Sequence, residues 1–282
     1  VRNRIIVKEA FSPGVWHLVI EVPEIAARAG AGQFVIIRIA DKGERIPLTI
    51  ADSNPQAGTI SIVVQEIGKT TAQLGDVAVG SFLADVAGPL GHPTELANYG
   101  TVAVVGGGVG IAAIFPIARA LAAAGNQVIS ILGARNREIL FWADRFEEFS
   151  ARVLITTDDG SAGNKGFVTD CLKELLDRGT AVDRVWAVGP VVMMEAVSKV
   201  TVPLSLPTIV SLNPVMVDGT GMCGACRVTV GGKTRFVCVD GPEFEAADVD
   251  FKELRSRLTY YRPEEKESFT SYCRRTGRPV GE

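Results

Sequence analysis

Thr101-Val-Ala-Val-Val-Gly-Gly-Gly-Val-Gly110-Ile-Ala-Ala113 is the stretch that decides the fold. Its first five residues form a continuous apolar run, as a strand buried on both faces requires. Glycines then crowd a turn, a helical pattern runs to Ala124, and Gly125 closes it. Strand, glycine turn and helix in that order open a nucleotide-binding unit. Gly108-x-Gly110-x-x-Ala113 fits the relaxed G-x-G-x-x-A fingerprint, in which glycines let a pyrophosphate approach the helix N-terminus. Gly106, Gly107, Gly108, Val109 and Gly110 are candidate contacts; a tight packing turn is the alternative. The usual acidic partner of the ribose is missing. The next strand ends in Gly133-Ala134-Arg135, and an arginine there suits a 2′-phosphate.

The same grammar continues downstream. Strands are expected at 127–132, 152–156 and 185–188, and helices at 137–149, 168–177 and 192–199. Alternation of this kind indicates a parallel sheet with crossover helices. Two further loops, Asp158-Asp159-Gly160 and Gly189-Pro190-x-x-Met193, would lie at the carboxyl ends of parallel strands, where ligands bind in open sheets. Ordinary turns and caps would read the same way. Pro203 to Pro207 looks like a connector.

Upstream, residues 1–97 look all-β. Short runs at 4–7, 16–22, 33–39 and 59–65 are punctuated by glycine and proline, which suggests a small barrel. Arg45-Ile-Pro47-Leu48-Thr49 places a cation and a hydroxyl on one side of a strand. Arginine suits a pyrophosphate, although a surface ion pair is the simpler reading of these residues alone. Gly68-Lys69-Thr70-Thr71 resembles the end of a P-loop, but Val63 stands where its first glycine belongs, so ATP is disfavoured.

Beyond the connector, Asp218, Cys223, Cys226 and Cys238 follow the spacing D-x4-C-x2-C-x11-C. Residues 227–230 and 233–239 alternate as strands around a Gly231-Gly232 hairpin turn, which brings Cys226 and Cys238 together. Four anionic side chains converging there suit a [2Fe–2S] cluster. A zinc site or a disulfide with an odd cysteine left over are the alternatives. Residues 250–258 and 263–274 read as polar helices.

The 282 residues suffice for two domains and a small module, set here at 1–97, 98–205 and 206–250 with a helical tail at 251–282. The fold class is thus β plus α/β. Net charge is −3 without a basic stripe, so nucleic acid is not an expected partner. The most apolar stretch, 101–124, contains glycines and Pro116 and is not read as a membrane span. Val1-Arg-Asn-Arg leads directly into a strand pattern, so no leader is expected and the expected compartment is the cytoplasm. With only His17 and His92, a histidine-based triad or histidine metal cage is disfavoured, and hydride and electron transfer carried by cofactors need neither.

Together these residues resemble the ferredoxin reductase-type flavoproteins over nearly the whole chain. Arg45-x-Pro47-Leu48-Thr49 is similar to their flavin motif. The resemblance implies FAD, with Arg45 on its pyrophosphate and Thr49 beside the reacting ring as the catalytic contact. By position it adds Val63, Val64, Gln65, Gly68, Lys69, Thr70 and Thr71 as FAD contacts. It also implies that the loops at 106–110, 134–135, 158–160 and 189–193 hold NAD(H), with NADP(H) permitted. The cysteine window resembles that of dihydroorotate dehydrogenase B electron-transfer subunits, with Asp218 in place of their first cysteine. Aspartate with three cysteines is similar to the small subunit of NADH-dependent ferredoxin–NADP oxidoreductases and sulfide dehydrogenases. That likeness implies hydride exchange between NAD(H) and FAD, then single electrons through the cluster. It also implies a larger partner, similar to the glutamate synthase small subunit, with its own flavin and [4Fe–4S] clusters. Ferredoxin would be reached through the complex, with electron bifurcation.

Overall fold

A computed structural model describes residues 3–279; Val1 and Arg2, where the no-leader reading begins, and residues 280–282 of the tail lie outside them. The first strands are β1 (Arg4–Ser12), β2 (Val15–Glu21), β3 (Phe34–Arg38), β4 (Arg45–Thr49), β5 (Asp52–Asn54), β6 (Thr59–Gln65) and β7 (Asp85–Leu90), with short helices α1 (Pro23–Ala26) and α2 (Lys69–Asp76) between them. They form two antiparallel sheets, β1-β2-β6-β5 and β4-β3-β7. Alternate residues such as Leu18, Ile20, Val35, Ile37, Ile60 and Ile62 point from both sheets into one core. Period-2 patterning thus produces the barrel-like unit.

The next elements are β8 (Thr101–Gly107), α3 (Gly110–Ala123), β9 (Gln127–Ala134), α4 (Ala143–Glu147), β10 (Arg152–Thr157), β11 (Asn164–Lys165), α5 (Val168–Asp177), β12 (Arg184–Val188), α6 (Val191–Thr201) and β13 (Thr208–Ser211). The hairpin β14 (Arg227–Val230) and β15 (Lys233–Phe236) follows, then α7 (Val237–Asp240), β16 (Glu243–Glu245), α8 (Phe251–Arg257) and α9 (Arg262–Thr276). One sheet runs β11-β10-β9-β8-β12-β13-β16. Its pairings are parallel except β13 with β16. The sheet therefore includes two strands, β13 and β16, from the stretch 206–250 that the sequence reading gave to the cysteine module. The expected connector, Pro203 to Pro207, begins in a 3-10 turn (Val202–Leu204) and leads into β13 of the same sheet, not out of it.

Two expected elements differ. The helix at 137–149 is broken into a 3-10 turn, Arg137–Ile139, and α4, with Trp142 left-handed at φ 60° between them. Phe141 and Trp142 are drawn out of helical spacing to pack on Phe11 of β1, with ring centroids at 5.1 and 5.6 Å. Tertiary packing overrides local propensity there. The strand at 233–239 also stops early, at Phe236. Asp240 accepts a hydrogen bond from the Phe236 N–H at 2.6 Å and curls the chain into α7.

The two sheets share a seam. Val15, Ala51 and Val63 of the barrel pack in one core with Val104, Ile111 and Phe115 of the α/β unit. Beside it, Asp52 accepts hydrogen bonds from Arg119 of α3 at 2.7 Å and Arg145 of α4 at 3.0 Å. Burial pushes the Asp52 carboxyl up, but the two guanidiniums more than offset this and hold it below the usual range. Glu243 on β16 lies at another junction. It accepts from Thr94 at 2.7 Å and from the Trp186 indole at 3.4 Å, and burial pushes its carboxyl above the ordinary value.

Candidate functional site

The strand order reverses between β8 and β12, which lie side by side with chain connections leaving in opposite directions. Such a switch point opens a crevice at the carboxyl ends of the strands. Gly106 and Gly107 end β8, and Gly189 and Pro190 follow β12, so both loops flank this crevice. Gly108 has φ +57°, and a side chain there would meet open space. Gly110 is the opposite case: a Cβ would lie 2.3 Å from the Val188 carbonyl oxygen. Absence of a side chain at Gly110 lets α3 start directly against β12. Met193 of α6 reaches back, its sulfur packed over Gly107 and Gly189.

The remaining nucleotide candidates occupy the next two strand ends. Ala134 is buried at the end of β9 and Arg135 is exposed. Asp158 and Asp159 donate their N–H groups to the Ala134 and Arg135 carbonyls at 3.1 and 3.3 Å, so the two loops are interlocked. Asp159 caps Ser161 through its N–H at 2.9 Å and hydroxyl at 2.6 Å, which lowers the Asp159 carboxyl below its ordinary value. Gly160 completes the turn at φ +80°.

In the barrel, Ile46 and Leu48 face the core, so alternation turns Arg45, Pro47 and Thr49 to the opposite face. Leu48 and Val64 spend their side chains on barrel packing and pair with Val35 and Trp16 in the ladders. Val63 faces the seam with the α/β unit, and Gln65 is half-buried. Gly68 caps α2, and Thr71 accepts from the Ile67 and Gly68 N–H groups at 3.0 and 3.1 Å. Lys69 pairs with Glu44 at 2.6 Å, and Thr70 donates its hydroxyl to the same carboxylate. Arg45 donates Nε to the Val217 carbonyl at 2.8 Å and lies 3.6 Å from Asp85. Val217 immediately precedes Asp218, so the barrel motif touches the cysteine window.

That window is built on turns. Val230 pairs with Lys233 across Gly231 and Gly232, which both have positive φ, as a type I′ hairpin requires. Gly219 is packed so tightly that a Cβ would lie 2.6 Å from Leu90 of β7. Asp218 accepts from the N–H groups of Thr220 at 3.0 Å and Cys223 at 3.2 Å, and the Cys223 sulfur is 3.5 Å from its Oδ1. The Thr220 N–H chiefly lowers the Asp218 carboxyl. Cys226 and Cys238 are both buried, and the Cys238 N–H donates to the Cys226 sulfur at 3.4 Å. The ladder ends at Arg227 with Phe236, so the two cysteines meet through the α7 turn rather than through an extended strand to 239.

Among the described residues, no three His, Cys, Asp or Glu side chains gather as they would around one metal ion. The four candidates instead form two pairs, Asp218 with Cys223 and Cys226 with Cys238. A tetrahedral zinc site needs its ligands around one ion. A [2Fe–2S] cluster divides its four ligands between two irons, and two pairs fit it. Burial, and then the neighbouring Cys226 thiol, push the Cys238 thiol up to about 12. Two adjacent thiolates need cationic compensation, which ferric iron supplies. Of the residues the sequence reading missed, Glu44 and Glu243 are the clearest. Glu44 is adjacent to the flavin motif, whereas nothing local marked Glu243 as buried.

Comparison with known proteins agrees with this geometry. Residues 104–199 match the oxidoreductase NAD-binding domain, and residues 213–250 match the iron-sulfur cluster binding domain of dihydroorotate dehydrogenase B. A Thermotoga maritima protein described as a dihydroorotate dehydrogenase B (NAD(+)) electron transfer subunit homolog is 50% identical over 275 residues, covering 98% of this chain and 97% of its own. The electron transfer subunit from Geobacillus thermodenitrificans is 33% identical over 88% of this chain and 97% of its own. Among solved structures, NADH-dependent reduced ferredoxin-NADP oxidoreductase, studied for flavin-based electron bifurcation, matches with a TM-score of 0.92 and 49% identity. It covers 96% of this chain and 98% of that one. Phthalate dioxygenase reductase, at 17% identity and a TM-score of 0.58, shares the fold over 87% of this chain and 95% of its own. Barrel, switch-point sheet and cysteine hairpin thus agree with close sequence likeness over nearly the full length, and the chain belongs to the family of dihydroorotate dehydrogenase B-type electron-transfer subunits.

Proposed function

We propose that this chain is the NAD(H)-linked subunit of a ferredoxin:NAD(P) oxidoreductase that bifurcates electrons, working with a larger flavin and iron–sulfur partner. The observation that carries it is the Arg45 Nε bond to the Val217 carbonyl at 2.8 Å. It puts the expected flavin strand against the loop that carries Asp218. A zinc staple in a binding module has no need of that contact.

When bound, FAD, NAD(H) and a [2Fe–2S] cluster supply hydride exchange and its division into single electrons. The residues of the chain do the rest. The glycine turn at 106–110 admits the dinucleotide, and Gly189, Pro190 and Met193 close the other side of its crevice. Arg45 holds the flavin pyrophosphate. Thr49, on the same face of β4, orients the ring by a hydroxyl hydrogen bond. Asp218, Cys223, Cys226 and Cys238 hold the cluster. Domain limits near residues 97, 205 and 250 belong to the same proposal, with β13 and β16 completing the sheet from the third segment. No helix among the described residues is long and apolar enough to cross a membrane, which suits a cytoplasmic complex.

Dihydroorotate oxidation with another partner is the second reading, favoured by the names of the curated relatives. Asp218 at the position of the first cysteine favours the ferredoxin-linked one.

The purified chain is expected to contain iron, acid-labile sulfide and FAD, and to bleach with NADH more readily than with NADPH. Arg45→Ala should weaken FAD binding by about one to two orders of magnitude, through loss of a charge-assisted contact of roughly 1.5–3 kcal/mol. Zinc in place of iron, or full flavin retention by the variant after gel filtration, would remove the reading.

A further inference from the structure

Two residues beyond α9, Arg278 returns to the barrel. Its Nη1 lies 2.6 Å from Glu66 Oε2, and its Nη2 lies 2.5 Å from Asp76 Oδ1. Its Nε adds two bonds of 3.1 Å to the Asp76 oxygens. Tyr272 of α9 donates its hydroxyl to Asp76, and the Trp16 indole donates to Glu66 at 2.6 Å. Glu66 is 14% exposed and Arg278 25%, so their pair is shielded, while Asp76 is 43% exposed. Lys8 of β1 closes the group by donating to the carbonyls of Gly75 and Val77.

The two carboxylates have a particular place in the chain. Glu66 follows Val63, Val64 and Gln65 directly, and Asp76 is the last residue of α2. Gly68, Lys69, Thr70 and Thr71 lie between them. One guanidinium therefore ties both ends of the segment that carries four of the barrel's proposed flavin contacts, Gly68 to Thr71. The first turn of α2 is anchored separately, through Lys69 and Thr70, to Glu44. Glu44 precedes Arg45. Helix α2 is thus held from the front by the neighbour of the pyrophosphate arginine and from behind by the chain after α9.

We propose that Arg278 is a positioning residue for the flavin: it straps the segment 66–76 so that Gly68 to Thr71 stay in register with Arg45 and Thr49. The proposal rests on the flavin reading above. Burial pushes Asp76 up, but Arg278 and Tyr272 more than offset it and hold the carboxyl below its ordinary value. The strap is therefore intact at neutral pH, with its charges in place. A misplaced anchor weakens binding without removing any contact to the ligand, because positioning depends on small displacements.

The test uses the full chain. Arg278→Ala should weaken FAD binding roughly tenfold and change the visible circular dichroism of bound flavin, with iron and sulfide content retained. Arg278→Lys should restore part of the affinity, and Asp76→Asn should loosen flavin in the same direction should the alanine variant fail to fold. If these variants keep FAD affinity within about twofold and an unchanged flavin spectrum while Arg45→Ala loses flavin, the strap is wrong and the flavin site stands. If neither the native chain nor any variant binds FAD, the flavin reading fails first and the strap with it.

Discussion

Asp218 is the residue on which the cluster assignment turns most sharply. A carboxylate and a thiolate carry the same formal charge, so replacing Asp218 by cysteine leaves the cluster's gross charge alone. Oxygen is the harder and less covalent donor, and electron distribution between the irons depends on it. Asp218→Cys should keep iron and sulfide content but shift the redox potential and the electron paramagnetic resonance g-values. Asp218→Ala should make the cluster labile. Cys226→Ser should impair it at least as much, whereas Cys171→Ser should leave it intact. Identical potential and spectrum in Asp218→Cys would show that the aspartate does not ligate. The spacing around Asp218 was legible because all four candidates lie within 21 residues and the hairpin register is fixed by Gly231 and Gly232. Glu66 and Arg278 were not legible as partners. They are 212 positions apart, and no pattern of period two or 3.6 joins residues at that separation.

Among the elements, β8 with α3 shows how much a glycine turn decides. Gly110→Ala places a methyl where the Val188 carbonyl stands, and backbone cannot yield as a flexible side chain can. The strain should lower stability by about 1–3 kcal/mol and loosen NADH binding, read by thermal denaturation and by NADH titration. Gly108→Ala meets open space and should cost only the strain of its positive φ, about 1 kcal/mol. Equal losses in the two variants would mean that Gly110 does not set the spacing of α3 and β12. Elements with an unbroken pattern were readable in advance: β6 and α5 lie where the alternation and the amphipathic period put them. The 137–149 helix failed because Phe141 and Trp142, apolar residues that suited a helical stripe, serve the barrel instead. β13 was missed because four residues after Pro207 are too short a run to register against a proline-rich flank.

At the scale of the molecule, three parts meet at Glu243, and the junction should respond to pH. Its carboxyl is raised in the folded state by burial, so the folded protein holds a proton that the unfolded chain releases at about pH 4.3. The native state then binds more protons than the unfolded one, and stability falls as pH rises from there toward the folded value. Glu243→Gln keeps the neutral form permanently. Its melting temperature should exceed that of the native chain by a margin that grows as the pH rises above the ordinary carboxylate range toward the raised folded value. A margin independent of pH would place the ionised form in the native protein. At the seam between barrel and sheet, Asp52→Ala strands the charges of Arg119 and Arg145 beside Phe115. It should cost about 1–3 kcal/mol, checked by denaturant unfolding.

β16 returns from the iron–sulfur segment to pair antiparallel with β13. Residues 213–250 are therefore not a cassette. Excision would uncover a row of unpaired N–H and C=O groups along β13, an invitation to aggregation. Transplantation into another reductase would deprive the hairpin of the wall against which Gly219 and Arg45 seat it. Grafting experiments, and recombination over longer times, must move the sheet edge and the cysteine hairpin as one inheritance.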